Sequence, residues 1–407
     1  MLSNYFRIAF RNLSKSRVHT TINLLGLTAG MVSVFLITLY LRQELSYDRF
    51  HEGAENIYRV DWYNQNPQTR TPHPLAQAMV ADFPEVVSAV SLSPLWGRGL
   101  TRETHSFRNL DKDQRYDEQN ILAVDTSFFH VFPFEVVKGN PDRALKNTRG
   151  GVMISESTAK RYFGDEDPIG KQLAVDSDTS LVEISGVFKD VPVNSHFHFD
   201  FLVSYLREKY GDPEDSFYSW ADFGHYNYIR LVPGTDAKQL EGKMMNWIRK
   251  YIDISDENFA GLKTAGYGFR LTPITDIHLH SHINWELEPN GNISYVYILA
   301  TAGLLTLVIA CVNFMNLTTA RSTERAKEIG VRKSLGAVRK QLATQFIFES
   351  VLISLAAVIL SLVVIQIAMP VFNSMTGANL SLEFWPYGVL MFAGGLLIGV
   401  FAGLYPS

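Results

Sequence analysis

Histidine is the residue type in this chain best suited to chemistry, and its spacing is uneven. His278, His280 and His282 alternate along DIHLHSH, while His196 and His198 flank Phe197. Alternation at period two places side chains on one face of a strand, and three imidazoles there would hold a metal ion through their ring nitrogens. No cysteine pair or carboxylate at ligand spacing completes such a site, so the pattern reads, ahead of a metal centre, as a polar face near a membrane surface. The chain has no P-loop G-x-x-x-x-G-K-[ST], H-E-x-x-H, nucleophile elbow or paired-cysteine motif. No nucleotide site, cofactor, metal or catalytic constellation is therefore expected, and no nucleic-acid partner. Cys311, the single cysteine, sits inside an apolar block with no partner for a disulfide.

The segment STERAKEIGVRKSLGA, beginning at Ser322, offers recognition instead of catalysis. Residues 322–335 have helix-forming composition, with Ile329, Val331 and Leu335 as an apolar side. Glu324 pairs with Lys327 at i,i+3 and Glu328 with Arg332 at i,i+4, and Gly336 is placed to end the helix. A short charged helix between two membrane spans can dock into a groove on a cytoplasmic partner. From physics alone, an ordinary basic loop explains the same residues as well.

The elements that position this segment are four blocks almost free of charge. Every Lys and Arg lies before residue 341, and the uncharged residues collect into spans expected at 20–41, 293–320, 350–371 and 385–407. A spanning helix takes about 20 mostly apolar residues, because lipid offers the backbone no hydrogen-bond partner. A charge at its centre costs roughly 2.5 to 3.5 kcal/mol on insertion scales. The first block is too long for a signal peptide and runs into Arg42, Gln43 and Glu44 instead of a small-residue cleavage site, so it is expected to remain as an anchor. Asn313, Asn316, Thr318 and Thr319, toward the end of the second span, read as helix-packing residues ahead of a polar conduit. Glu349 falls at the cytoplasmic edge of the third span, where a carboxylate reaches water.

Charge sets the orientation. Arg7, Arg11, Lys15 and Arg17 precede the first span without an acidic residue, and Arg321, Arg325, Lys327, Arg332, Lys333, Arg339 and Lys340 outnumber Glu324 and Glu328 in the loop 321–349. Both places are therefore cytoplasmic. Of the chain's 37 basic and 41 acidic residues, 26 and 37 lie between the first two spans, so the segment 42–292 is net −11 and faces outward. Residues 1–19 mix Tyr5, Phe6, Ile8, Phe10 and Leu13 with basic residues, as in an amphipathic segment lying in the headgroup region. Residues 372–384 form an outer loop. The outward domain alternates strand-like runs (GVMIS, LVEISGVF, YNYIRLV, FRLTPI) with helical stretches over 156–163 and 236–252, which predicts an α+β domain between the first and second of four transmembrane α-helices.

The loop resembles that of the FtsX/MacB family of ABC transporter permeases, which commonly reads close to E-R-x-K-E-I-G-[IV]-R-K-[AS]-L-G-A. Glu324, Arg325, Lys327, Glu328, Ile329, Gly330, Val331, Arg332, Lys333, Ser334, Leu335, Gly336 and Ala337 fill it here. The opening NYFRIAFRNLSKSRVHTTINLLGLTAGM, the stretches GVMISESTAKRYFGDEDPIGKQL and GVFKDVPVNSHFHFDFLVS, and LTPITDIHLHSHINWELEPNGN before the second span are similar to the family as well. The subfamily it most resembles is that of Bacteroidetes-type bacteria. The resemblance implies a non-catalytic subunit of the cytoplasmic (inner) membrane with a MacB-like periplasmic domain. A separate cytoplasmic ATPase would push on residues 324–337, and the helices would relay the movement outward by mechanotransmission for efflux or lipoprotein extrusion. It also implies a second permease copy or half, surrounding lipid, and a periplasmic adaptor or substrate as partners. A signal relay to a cell-wall hydrolase and an ATPase-independent sensor are the alternatives. Relatives often continue past LYPS into a second set of helices, so the chain is expected to be either a fragment or a half-size form.

Overall fold

A computed structural model of the chain describes residues 17–94, 104–146, 151–205, 219–324, 331, 334, 339–378, 380–382 and 384–404. It divides into two compact units, one of them Ser46–Asn292 and the other holding the four long helices. In chain order, α1 (Arg17–Glu44) precedes β1 (Ile57–Tyr63), α2 (Pro74–Asp82), β2 (Val86–Pro94), β3 (His105–Asn109), β4 (Gln114–Glu118), β5 (Ile121–Val124), β6 (Val136–Gly139) and β7 (Gly151–Ser155). There follow α3 (Glu156–Phe163), β8 (Gln172–Val175), β9 (Ser177–Phe188), β10 (Phe201–Ser204), β11 (Tyr226–Leu231), α4 (Ala237–Trp247), α5 (Asp256–Thr264), β12 (Gly268–Pro273) and α6 (Ile274–His280). The chain closes with α7 (Ile293–Glu324), α8 (Arg339–Thr376) and α9 (Phe384–Leu404).

Local chemistry fixes these boundaries. Ser155, Asp236 and Ser255 cap α3, α4 and α5 by accepting hydrogen bonds from backbone N–H groups two or three residues on, which satisfies donors that a first turn leaves open. Gly139 ends β6 with φ +86°, and a Cβ there would meet the Ser185 carbonyl at 2.5 Å, so this turn accepts only glycine. The strands of the domain form one sheet in the order β12-β1-β11-β2-β5-β10-β7-β9-β8-β3-β4, with β6 paired to β9. Pairing is antiparallel except for β5 with β10 and β7 with β9. One apolar cluster is built on Phe128, Phe132, Phe134, Phe197, Phe199, Tyr226 and Tyr228. Burying each such ring contributes about 1.5 to 3 kcal/mol. This is the expected α+β domain between the first and second of four long apolar helices.

The helical unit packs through small residues. On α9, Gly395, Gly399 and Gly403 recur every fourth residue along one stripe, and Cβ atoms at Gly399 and Gly403 would come within 2.7 and 2.6 Å of the Cα atoms of Val351 and Ile347 on α8. Gly30 of α1 lets the helix approach Ala310 of α7, where an added Cβ would meet the Ala310 Cβ at 2.6 Å. Lipid drives no hydrophobic association between helices, so close backbone approach of this kind holds such bundles together. Trp385 is in extended conformation (φ −116°, ψ 117°), and the apolar stretch of α9 runs on from Tyr387 to Leu404. Gly377, at φ +69°, follows the end of α8.

Candidate functional site: the loop segment and the domain junctions

Glu324 is the last residue of α7, and Arg339 opens α8. Between them, Arg325, Lys327, Glu328, Ile329, Gly330, Arg332, Lys333, Leu335, Gly336 and Ala337 lie outside the described residues, as does the amphipathic segment expected before Arg17. Val331 and Ser334 are described and helical; the Val331 side chain is 59% exposed, and Ser334 Oγ donates to the Val331 carbonyl at 2.8 Å. The expectation that the Glu349 carboxylate reaches water is corrected. This residue is only 4% exposed and accepts a hydrogen bond from Gln345 Nε2 at 3.1 Å. Because α8 runs unbroken from Arg339, Glu349 falls on the same stripe as buried Ile353, Ala357, Ser361 and Ile365, four residues apart, and not at a water-exposed edge.

The polar residues expected to pack α7 are of two kinds, with Asn313 and Asn316 exposed and the two threonines bonded within their own helix. Thr318 and Thr319 donate to the carbonyls of Phe314 and Met315 one turn back, at 2.7 and 2.9 Å, and the Asn313 amide lies against Gly26 of α1. Ser354 and Ser361 of α8 likewise donate to the Gly395 and Thr28 carbonyls, at 2.5 and 3.3 Å.

The histidine trio needs a correction too. Residues 274–280 form a helix and not a strand, because Ile274, Ile277 and His278 share one helical face and Pro273 precedes the first turn. His278 is buried and its ring stacks on Tyr47 with centroids 3.4 Å apart, whereas His280 and His282 are exposed. His196 and His198 do converge on functional groups, each on a different one. His196 Nδ1 lies 2.9 Å from Asp48 Oδ1 and its Nε2 2.9 Å from the Tyr228 hydroxyl, while His198 pairs with Glu288 at 2.8 Å. Among the described residues no group of three His, Cys, Asp or Glu side chains is placed to hold a metal ion.

Two polar clusters escaped the sequence reading. Arg59 and Asp61, at alternate positions of β1, would read as a solvent face, yet both side chains are fully buried. Arg59 contacts Asp61 at 2.6 Å, Glu286 at 2.5 Å and the Ser281 hydroxyl at 2.8 Å. Burial alone would lower the Arg59 pKa; Asp61 and Glu286 more than offset it and raise it, so the guanidinium is a permanent cation. In the second cluster, His73 Nδ1 lies 3.0 Å from Ser91 Oγ, and His225 Nδ1 lies 3.2 Å from the Tyr205 hydroxyl. Burial, with His225 beside it, pushes His73 down to about 3, too weak a base to take the Ser91 proton at neutral pH. Burial likewise lowers His51 to about 4. No signal in the sequence joins these pairs, since Arg59 and Glu286 are 227 residues apart.

Comparison with known proteins adds the family context. The profile of the MacB-like periplasmic core domain matches residues 20–246, and that of the FtsX-like permease C-terminal region matches residues 300–407. The ABC transporter permease YvrN of Bacillus subtilis is 23% identical over 99% of this chain and 96% of its own length. The macrolide export ATP-binding/permease protein MacB of Escherichia coli is 30% identical over 98% of this chain, which spans 58% of that relative. A solved domain of a permease from Porphyromonas gingivalis superposes with a TM-score of 0.46 at 21% identity, covering 63% of this chain and 99% of that one.

Proposed function

Because this chain belongs to the MacB/FtsX family of ABC transporter permeases, we propose that it couples ATP hydrolysis on a cytoplasmic ATPase subunit to movement of its extracytoplasmic domain. It is a multi-pass membrane protein with a large periplasmic domain. The observation that carries the coupling is the charged stretch 324–337, set between α7 and α8, whose apolar spans carry no Lys or Arg. Glu324, Arg325, Lys327, Glu328, Arg332 and Lys333 supply charge for docking on the ATPase, and Ile329, Val331 and Leu335 supply apolar side chains, with Gly330 and Gly336 in the same coupling stretch. The driven step is mechanical, moving the domain for efflux or extrusion, with a second permease copy completing the membrane part. The residues of GVMISESTAKRYFGDEDPIGKQL and GVFKDVPVNSHFHFDFLVS also lead us to place the chain with Bacteroidetes-type permeases.

Co-purification in detergent with ABC ATPase subunits from the same cell tests this reading, comparing the intact chain with a deletion of residues 322–336. Capture of the ATPase by the intact chain alone is expected. No capture by either form would remove the ATPase from the picture and bring the sensor reading forward.

A further inference from the structure

The domain Ser46–Asn292 has two ends, an incoming segment after α1 and an outgoing segment before α7, and both are held inside the domain by buried polar contacts. Asp48 anchors the incoming segment. It is fully buried and left-handed (φ +57°), its N–H donates to the Asn194 carbonyl at 2.8 Å, and its carboxylate accepts from the His196 N–H at 3.1 Å. Asn194 Nδ2 in turn donates to the Ser46 carbonyl at 2.9 Å. The outgoing segment is fixed as firmly. Trp285 is left-handed (φ +67°), unusual for so large a side chain, and its carbonyl accepts from Thr69 Oγ1 at 2.5 Å and from the Tyr226 hydroxyl at 2.8 Å. Next to it, Glu286 grips Arg59, and Glu288 accepts from both the backbone N–H and the ring of His198 at 2.8 Å.

One short stretch touches both ends. His196 reaches the incoming segment and His198 the outgoing one, while Phe197 between them is 1% exposed and packs on Phe132 and Phe199. A second path runs parallel to it, in which the Tyr228 hydroxyl meets His196 Nε2 and Tyr228 sits directly across the β11–β1 ladder from Arg59. Tyr47 of the incoming segment also stacks on His278, three residues before Ser281, which binds Arg59.

We propose that the stretch Asn194–His198, backed by Tyr228 and Arg59, is a staple that locks the domain's two ends into one moving part. His196, His198, Asp48 and Glu288 are then positioning residues for the ATP-driven movement, a role that rests on the coupling function proposed above. Without the staple each end would yield separately, and displacement arriving along one helix would be lost in local deformation before reaching the sheet.

Hydrogen–deuterium exchange on the full chain, alone and with its ATPase, tests this with Glu288→Ala and Asp48→Asn. Asparagine tolerates the left-handed backbone at 48, and Glu288 is partly exposed, so both variants are expected to fold; Glu288→Gln is the conservative companion. Each substitution is expected to raise amide exchange about tenfold in both 46–54 and 284–292, with the double variant adding less than the product of the two. With ATP, the wild type is expected to change exchange at both ends together, and Glu288→Ala at neither in concert, while still capturing the ATPase. Exchange that rises only beside the substituted residue would overturn the staple. A wild type whose two ends are coupled but indifferent to ATP would overturn the coupling function instead and leave the staple standing.

Discussion

Arg59 shows how a single charge organises the domain. Its guanidinium is surrounded by Asp61, Glu286 and Ser281 and has no contact with water, so the arrangement is stable only as a complete set. Removing one partner of a buried pair leaves the others uncompensated and costs about 3 to 5 kcal/mol. Arg59→Met is therefore expected to lower thermal stability sharply, and adding Asp61→Asn and Glu286→Gln to restore most of it, as read by melting in detergent. A pH effect belongs to the same scale. His51 and His73 are held neutral by burial at about 4 and about 3, against 6.5 when unfolded, so the unfolded chain binds protons first as pH falls. Their contribution is complete above pH 6.5 and drains away from there down to about 4 for His51 and about 3 for His73. The melting temperature is expected to fall from about pH 7 to about pH 5, and to fall less in His51→Gln/His73→Gln; equal slopes would refute the assignment. Little of this was legible in the sequence. Arg59-x-Asp61 on a strand has the spacing of a solvent face, and its burial follows from the distant residues Ser281 and Glu286 being brought over that face of β1. The alternating histidines misled for a related reason: period two was read from three residues, while Ile274 and Ile277 already carried the helical period.

At the scale of elements, composition was a far better guide. The long helices are legible because lipid excludes charge from nearly all of each apolar span, GVMIS because a strand buried on both faces is a continuous apolar run, and LVEISGVF because its first residues alternate between exposed and buried. The hairpin β3–β4 was not legible, since Gln114–Glu118 is polar and mostly exposed and looks like loop. Helix contacts escaped as well, although the glycine spacing on α9 foreshadows them. Gly399→Leu is expected to force α8 and α9 apart and lower the melting temperature of the purified chain, whereas Gly394→Leu, with nothing within 4 Å of its Cβ position, is expected to be tolerated. In the loop, Arg332→Glu with Lys333→Glu is expected to weaken ATPase capture about tenfold while insertion proceeds normally; undiminished capture would count against the docking role.

For the whole molecule, the charge count and the number of spans give the same arrangement, a cytoplasmic loop and an outward domain. A cysteine at exposed Glu257 on α5, in a Cys311→Ser background, is expected to react with a membrane-impermeant thiol reagent from the periplasm. Labelling that required opening the inner membrane would reverse the topology.

The strand order has a further consequence. The first and last strands of the domain, β1 and β12, are hydrogen-bonded neighbours through six residue pairs from Tyr58↔Pro273 to Tyr63↔Gly268. A domain whose first and last strands pair antiparallel carries its own two ends close together, the arrangement that makes insertion of a whole domain tolerable. The outward domain is thus built to be exchanged as a unit.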